Sequence, residues 1–154
     1  MGACLLLRDF VDEALQEARA ALDEGEVPVG ALIVRGEEVL ARAHNEREAL
    51  SDPTAHAEIL AIRRAARRTG DWRLSGTTLI VTLEPCIMCA GAILEARISR
   101  VVFGAPDSVR GAAGSMANLF SRAHADHDVE VTGGILEERC QEILRRFFSS
   151  RRGV

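Results

Sequence analysis

The amino-acid sequence predicts an α/β layer fold built on a mixed sheet. Two observations lead there. Short apolar, β-branched runs alternate with segments of helical periodicity, which argues for strands layered against helices. The first two strand signals are joined by a tight Gly turn, which makes part of the sheet antiparallel. The 154 residues suit one domain, 1–154, and 47% hydrophobic residues against 27% charged are enough for a real core.

The elements follow in order. Val11, Leu15, Ala18 and Leu22 recur at helical spacing, and Gly25 is a C-terminal cap. Val29 to Val34 is a buried strand, Arg35-Gly36-Glu37 turns it, and Val39 to Ala43 returns beside it. Asp52-Pro53-Thr54 reads as a helix start, with the helix running to Arg68 and stopping at Gly70. Thr77 to Leu83 is an uncharged β-branched strand, and Pro85 opens a helix over Cys86 to Glu95. Val101 to Phe103 is a third core strand. Gly104 to His127 is a long connection of weak periodicity, the kind of segment that often carries function. Val129 to Thr132 is a short strand. Leu136, Cys140, Ile143, Leu144, Phe147 and Phe148 mark an amphipathic last helix.

No apolar run approaches the ~18 residues of a membrane span, and the start lacks the basic opening of a secretory signal, so a cytoplasmic location is expected. The net charge of −4 disfavours nucleic-acid binding taken as a bulk number, but the charge is unevenly placed. Residues 1 to 30 carry two Arg against seven acids, whereas Arg145, Arg146, Arg151 and Arg152 face only Glu142 at the end. All 19 basic residues are Arg, so each cationic contact can be planar and bidentate. Arg63, Arg64, Arg67 and Arg68 read as a solvated helix face, and Trp72 as a packing residue.

Two segments carry chemistry: His56-Ala57-Glu58 and Pro85-Cys86-Ile87-Met88-Cys89. Each lies at an expected helix N-terminus, where the dipole and free N–H groups favour thiolates. Alone, the C-x-x-C pair is shared with redox dithiols and half zinc ribbons. Two Cys and one His together make three zinc ligands, and a site with three protein ligands keeps a position for water, as catalytic sites do. Cys140 is a conceivable fourth ligand, but its apolar helix face reads as core. Cys4, His124 and His127 have no partner pattern and read as surface. Glu58 is the natural proton carrier. Residues at i and i+2 of a helix do not face each other, so spacing alone gives no account of how His56 and Glu58 converge.

In this order and at helix starts, the two segments are identified as the signature of zinc-dependent nucleobase deaminases. At these residues the chain resembles the bacterial tRNA adenosine deaminases, which convert wobble adenosine to inosine. The resemblance spans nearly the whole chain: Glu26 to Ala31, Asn45, Asp52 to Ile59, Val81 to Cys86, Cys89 to Ala92, Val101 to Ala105, Gly111 to Ser115, and Phe147-Phe148. The last two stretches are more particular to the tRNA enzymes than the zinc segments. His rather than Cys at position 56 speaks against free cytidine deaminases.

The resemblance implies a three-layer α/β/α cytidine-deaminase-like fold with a mixed five-stranded sheet, assembled as a homodimer. It implies one zinc (Zn2+) per subunit on His56, Cys86 and Cys89, with Glu58 as proton shuttle. Asn45 matches a residue that bonds the flipped nucleotide, and Asp107 a loop residue near the substrate backbone. Phe147, Phe148, Arg151 and Arg152 match a tail that contacts the tRNA anticodon stem-loop. The family's loop often has Lys two positions after that Asp, where this chain has Val109 followed by Arg110. The competing readings are a free-base or nucleoside deaminase, such as a guanine deaminase, and a non-catalytic zinc-stabilised binding module. Glu58 argues against the module, because a structural zinc has no use for that carboxylate.

Overall fold

The computed structural model describes residues 2–122 and 124–152, with side chains from 6 to 122 and 124 to 151. Its elements are α1 (Gly2–Asp23), β1 (Gly30–Arg35), β2 (Glu38–His44), α2 (Arg47–Leu50), α3 (Ala57–Thr69), β3 (Thr78–Leu83), α4 (Ile87–Glu95), β4 (Arg100–Ala105), β5 (Glu130–Thr132) and α5 (Glu137–Arg152). The strands form one sheet in the order β2-β1-β3-β4-β5. β1 runs antiparallel to both β2 and β3, while β3, β4 and β5 are parallel. The sheet is mixed and five-stranded, as expected.

Strand alternation makes the three layers. Ala31, Ile33, Leu79, Val81, Val101 and Phe103 share one core with Leu60, Ala61 and Ala65 of α3 and Ala90 and Ile93 of α4. Leu32, Val34, Ile80 and Val102, one residue out of phase, share the other with Phe10, Val11, Ala14 and Leu15 of α1 and Cys140 and Ile143 of α5. Both faces of the sheet are therefore covered, and its central strands are apolar at nearly every position. Cys140 is fully buried there, the core role read from its helix face. Gly30 lets α1 lie directly on β1, because a Cβ there would stand 1.9 Å from the Ala14 carbonyl oxygen.

Two local expectations are corrected, and one short element is added. α3 begins at Ala57, not near Pro53. Asp52 turns the chain instead, its Oδ1 accepting from the Thr54 amide at 2.8 Å and the Thr54 hydroxyl at 2.7 Å. The one-turn helix α2 went unpredicted, being too short for a periodic signal. Trp72 is 54% exposed, with the Arg73 guanidinium 4.4 Å above its ring, so it is not a core residue. The Arg face of α3 is exposed yet engaged: Arg64 donates to the Arg42 carbonyl at 2.8 Å, and Arg68 to the Val39 carbonyl at 2.8 Å.

His44 ties the end of β2 to α1. Its ring nitrogens lie 2.7 Å from Glu17 and 3.0 Å from Glu24. Burial alone would lower its pKa, but the hydrogen bonds and charges of the two carboxylates outweigh it and raise the group above 6.5. A raised folded-state pKa stabilises below the unfolded value, and that stabilisation is lost as pH rises through the folded value. Urea denaturation of the parent and of His44→Gln should therefore show a wider stability gap at about pH 5.5 than at about pH 9. An equal gap at both would remove this triad from the pH response.

Candidate metal and nucleobase site

Four strand ends meet at one edge of the sheet. The start of β1, the end of β2, and the ends of β3 and β4 all open onto a cleft of about 510 Å³. That is the crevice at the carboxyl ends of parallel strands where α/β folds bind ligands, and its volume suits a purine nucleoside. α3 and α4 start here, so their N-termini bring His56, Cys86 and Cys89 together.

His56 is the N-cap of α3, with extended backbone angles of φ −71° and ψ 153°. Cys86 is the N-cap of α4, at φ −77° and ψ 178°, and Cys89 lies in its first turn. His56 Nδ1 stands 3.7 Å from Cys86 Sγ and 3.4 Å from Cys89 Sγ. Ligands on a tetrahedral zinc, with Zn–S near 2.3 Å and Zn–N near 2.0–2.1 Å, would be about 3.5 Å apart. The donor set and its spacing fit zinc. Among the described residues Cys140 is not part of this cluster. The hydrogen bond from Cys89 holds the Cys86 thiol down at about 3, and His56 adds to the effect.

Because His56 caps the helix, its side chain does not follow the helical phase. That resolves the convergence the i, i+2 spacing left open: Glu58, in the first turn, lines the same cleft. Glu58 is buried, and burial raises its pKa above the ordinary carboxylate value. A carboxylate poised to hold a proton suits general acid–base work.

Asn45, Asp107 and Phe148 also line the cleft. Asn45 Oδ1 accepts from the Arg47 amide at 3.1 Å, so Asn45 is a turn residue as well as a wall residue. Asp107 Oδ1 accepts from the amides of Val109 and Arg110, each at 3.0 Å. Val109 and Arg110 both face the cleft, so the loop still brings a cation to it. The two aromatics divide their roles: Phe147 is 5% exposed and packed, whereas Phe148 is 47% exposed. Arg151 lies 4.4 Å over the Phe147 ring and donates to the Gly25 carbonyl at 2.8 Å. The side chains of Arg152 and Cys4 lie outside the described residues.

Two buried acids were missed by sequence reasoning. Glu26 accepts from the amides of Glu48 at 3.0 Å and Ala49 at 2.8 Å, serving the exposed N–H groups of α2. Glu84 does the same for the loop after β4, and these bonds outweigh its burial and hold its carboxyl below the usual range. Each acts on backbone more than twenty residues away, and no local pattern marks such a contact.

Residues 6–105 match the family model of the cytidine and deoxycytidylate deaminase zinc-binding region. The chain is 48% identical over 139 residues to the tRNA-specific adenosine deaminase of Bacillus subtilis, covering 90% of this chain and 86% of that one. It superposes, at a TM-score of 0.85 and 46% identity, on a solved structure from work on A-to-I editing by tRNA:A34 deaminases at the wobble position of transfer RNA, covering 88% of this chain and 99% of that one. The guanine deaminase of Nitrosomonas europaea superposes at a TM-score of 0.81 with 21% identity over 92% of this chain and 84% of that one, a likeness of fold alone.

The thiol chemistry can be read directly. In metal-stripped protein at pH 6 (about three units above the Cys86 value), iodoacetamide should label Cys86 quickly and spare Cys140, whose thiol burial pushes up to about 12. Added zinc should protect Cys86. Peptide mass mapping that finds Cys140 labelled as fast, or no protection by zinc, would contradict the site.

Proposed function

Because the chain belongs to the cytidine and deoxycytidylate deaminase family, alongside the tRNA-specific adenosine deaminases, we infer that it hydrolyses adenosine to inosine at the wobble position of a tRNA anticodon. The observation that carries this reading is the His56-Cys86-Cys89 cluster beside a buried carboxylate, on the wall of a purine-sized cleft.

We propose that these three residues hold one zinc per chain. When bound there, zinc supplies an activated water by lowering its pKa towards ~7. Glu58 then does the proton work. Its carboxylate accepts a proton as water adds to C6 of the adenine and returns it to ring N1. Glu58 then carries the proton of the new C6 hydroxyl to the exocyclic nitrogen; the C6–N bond breaks, ammonia departs and the C6 carbonyl forms, so adenosine and water give inosine and ammonia. The raised Glu58 pKa favours the uptake half of this cycle and burial keeps bulk water from competing.

A base stacked in a helix cannot reach a metal at the foot of a cleft, so the adenosine must be turned out of a loop. Asn45 and Asp107 are proposed to grip that nucleotide, with Phe148 as a stacking surface. Phe147 supports it from below, and Arg151 and Arg152 supply charge to the tail. The chain is proposed to act as a single deaminase domain and as a homodimer; Ile87 and Met88, on the first turn of α4, are exposed apolar residues that a second copy would cover. No described helix is long and apolar enough to cross a membrane, and a tRNA substrate places the enzyme in the cytoplasm under this reading.

Glu58→Ala should keep its zinc and its fold while turnover on an anticodon stem-loop falls by at least ~10²–10⁴-fold. Activity within a few-fold of the parent would assign the protons to another group. Free guanine run beside the stem-loop separates the main alternative: a parent that turns over guanine and leaves the stem-loop untouched is a free-base deaminase.

The two aromatics should separate as well. Phe148→Ala should weaken stem-loop binding by about 5- to 150-fold with little change in stability, since one base–aromatic stack contributes ~1–3 kcal/mol. Phe147→Ala should instead lower unfolding free energy by about 3–5 kcal/mol. Fluorescence anisotropy with a labelled stem-loop and urea denaturation measure the two, and equal effects from both variants would overturn this division.

A further inference from the structure

Glu84 precedes Pro85-Cys86, yet it belongs neither to the metal cluster nor to the proton path. It is 2% exposed, and four hydrogen bonds from one loop converge on its carboxylate. Oε1 accepts from the Asp107 amide at 3.1 Å and from the Ser115 hydroxyl. Oε2 accepts from the amides of Ala113 at 2.9 Å and Ser115 at 3.1 Å. Two backbone bonds extend the clamp: Glu84 N–H donates to the Ala105 carbonyl, and Ala112 N–H to the Pro85 carbonyl, both at 2.8 Å.

The loop is wrapped around the carboxylate without spare room. A Cβ on Gly111 would stand 2.4 Å from the Glu84 carboxyl carbon and 2.4 Å from the Asp107 carbonyl oxygen. Only glycine permits that approach, which gives the Gly111 to Ser115 stretch a physical meaning: one glycine for closeness, then amides and a hydroxyl to satisfy the buried charge. The arc between the tied points, residues 106–110, is the part of the loop that walls the cleft. The two residues that hold it, Glu84 and Pro85, lead directly into Cys86.

We propose that Glu84 is a positioning residue that fixes the 106–110 wall relative to the metal and proton centre, and that it thereby governs substrate binding rather than the chemical step. This rests on the deaminase reading above. Glutamine at position 84 keeps the shape but turns one acceptor oxygen into an NH₂ group that faces amide donors, so at least one loop bond is lost.

The test is steady-state kinetics of the full chain, with zinc content measured on the same samples. Glu84→Gln should raise KM for the anticodon stem-loop about 10-fold or more and leave kcat within about 3-fold, at unchanged zinc per chain, because hydrogen bonds to a charged group are strong and these act on binding. A merely structural role would shrink the active fraction, lowering kcat and zinc while KM stays put, and that result overturns the proposal. Ser115→Ala, which removes only the hydroxyl bond at the far end of the loop, should raise KM about 3- to 10-fold. If Glu84→Gln does not fold, Ser115→Ala decides alone, and an unchanged KM refutes the idea. If the parent turns over free guanine and not the stem-loop, the tRNA reading fails, and the same KM-against-kcat split is then read with guanine.

Discussion

The structure depends on one constraint: an imidazole nitrogen and two sulfurs must meet within a few ångströms, and they come from two segments thirty residues apart. The chain meets it by aiming the N-termini of α3 and α4 at one point. Two features make the aim possible. Both helices leave the same edge of the sheet, where β3 ends and the turn after β2 returns. Small residues on their buried faces, Ala57, Ala61 and Ala65 on α3 and Ala90 on α4, let them pack into one core beside Leu60 and Ile93. Helix N-termini also carry free N–H groups and the positive end of the dipole, so the place where the thiols converge favours a thiolate at Cys86, while the hydrogen bond to Cys86 and burial push the Cys89 thiol up.

The same edge explains the mixed lining of the cleft. Val27, Val29 and Leu83 continue the core under the sheet edge, and Leu144 and Phe148 of α5 add to the apolar wall. Loops form much of the rest, and loops bring unpaired amides. A buried amide without a partner costs about as much as a lost hydrogen bond. This chain answers with carboxylates from the framework: Glu26 beneath the turn after Asn45, and Glu84 beneath the loop after β4. A buried carboxylate is itself unfavourable unless its oxygens are satisfied, so acid and loop stabilise each other and neither is free to move alone.

Much of this was legible in the sequence, and the rest was hidden for definite reasons. Strands and long helices showed themselves through period and β-branching, and Gly25, Gly36 and Gly70 marked real turns, each with positive φ. His56, Cys86 and Cys89 were legible because one His and a C-x-x-C pair, each at an expected helix start, make a recognisable set of zinc donors. The capping role of His56 was not, since Asp52-Pro53-Thr54 offers a stronger start signal that tertiary structure spends on a turn. Glu26 and Glu84 were invisible as acids with a purpose: a charged residue near a strand end looks like surface until the distant backbone that it serves is in place. Trp72 failed in the opposite direction, because size and apolarity suggest burial while the turn that holds it faces solvent. Phe147 and Phe148 are neighbours on the amphipathic last helix, and only the helix phase of α5 decides that Phe147 is the buried one.

The central claim is that His56, Cys86 and Cys89 hold a zinc whose remaining position is left for chemistry. X-ray absorption at the zinc edge, on the protein as purified, tests it most directly. The account predicts one zinc per chain with two sulfur neighbours at about 2.3 Å and two light-atom neighbours near 2.0–2.1 Å, one from the imidazole and one from solvent. A third sulfur, or protein free of zinc that still deaminates, would contradict it.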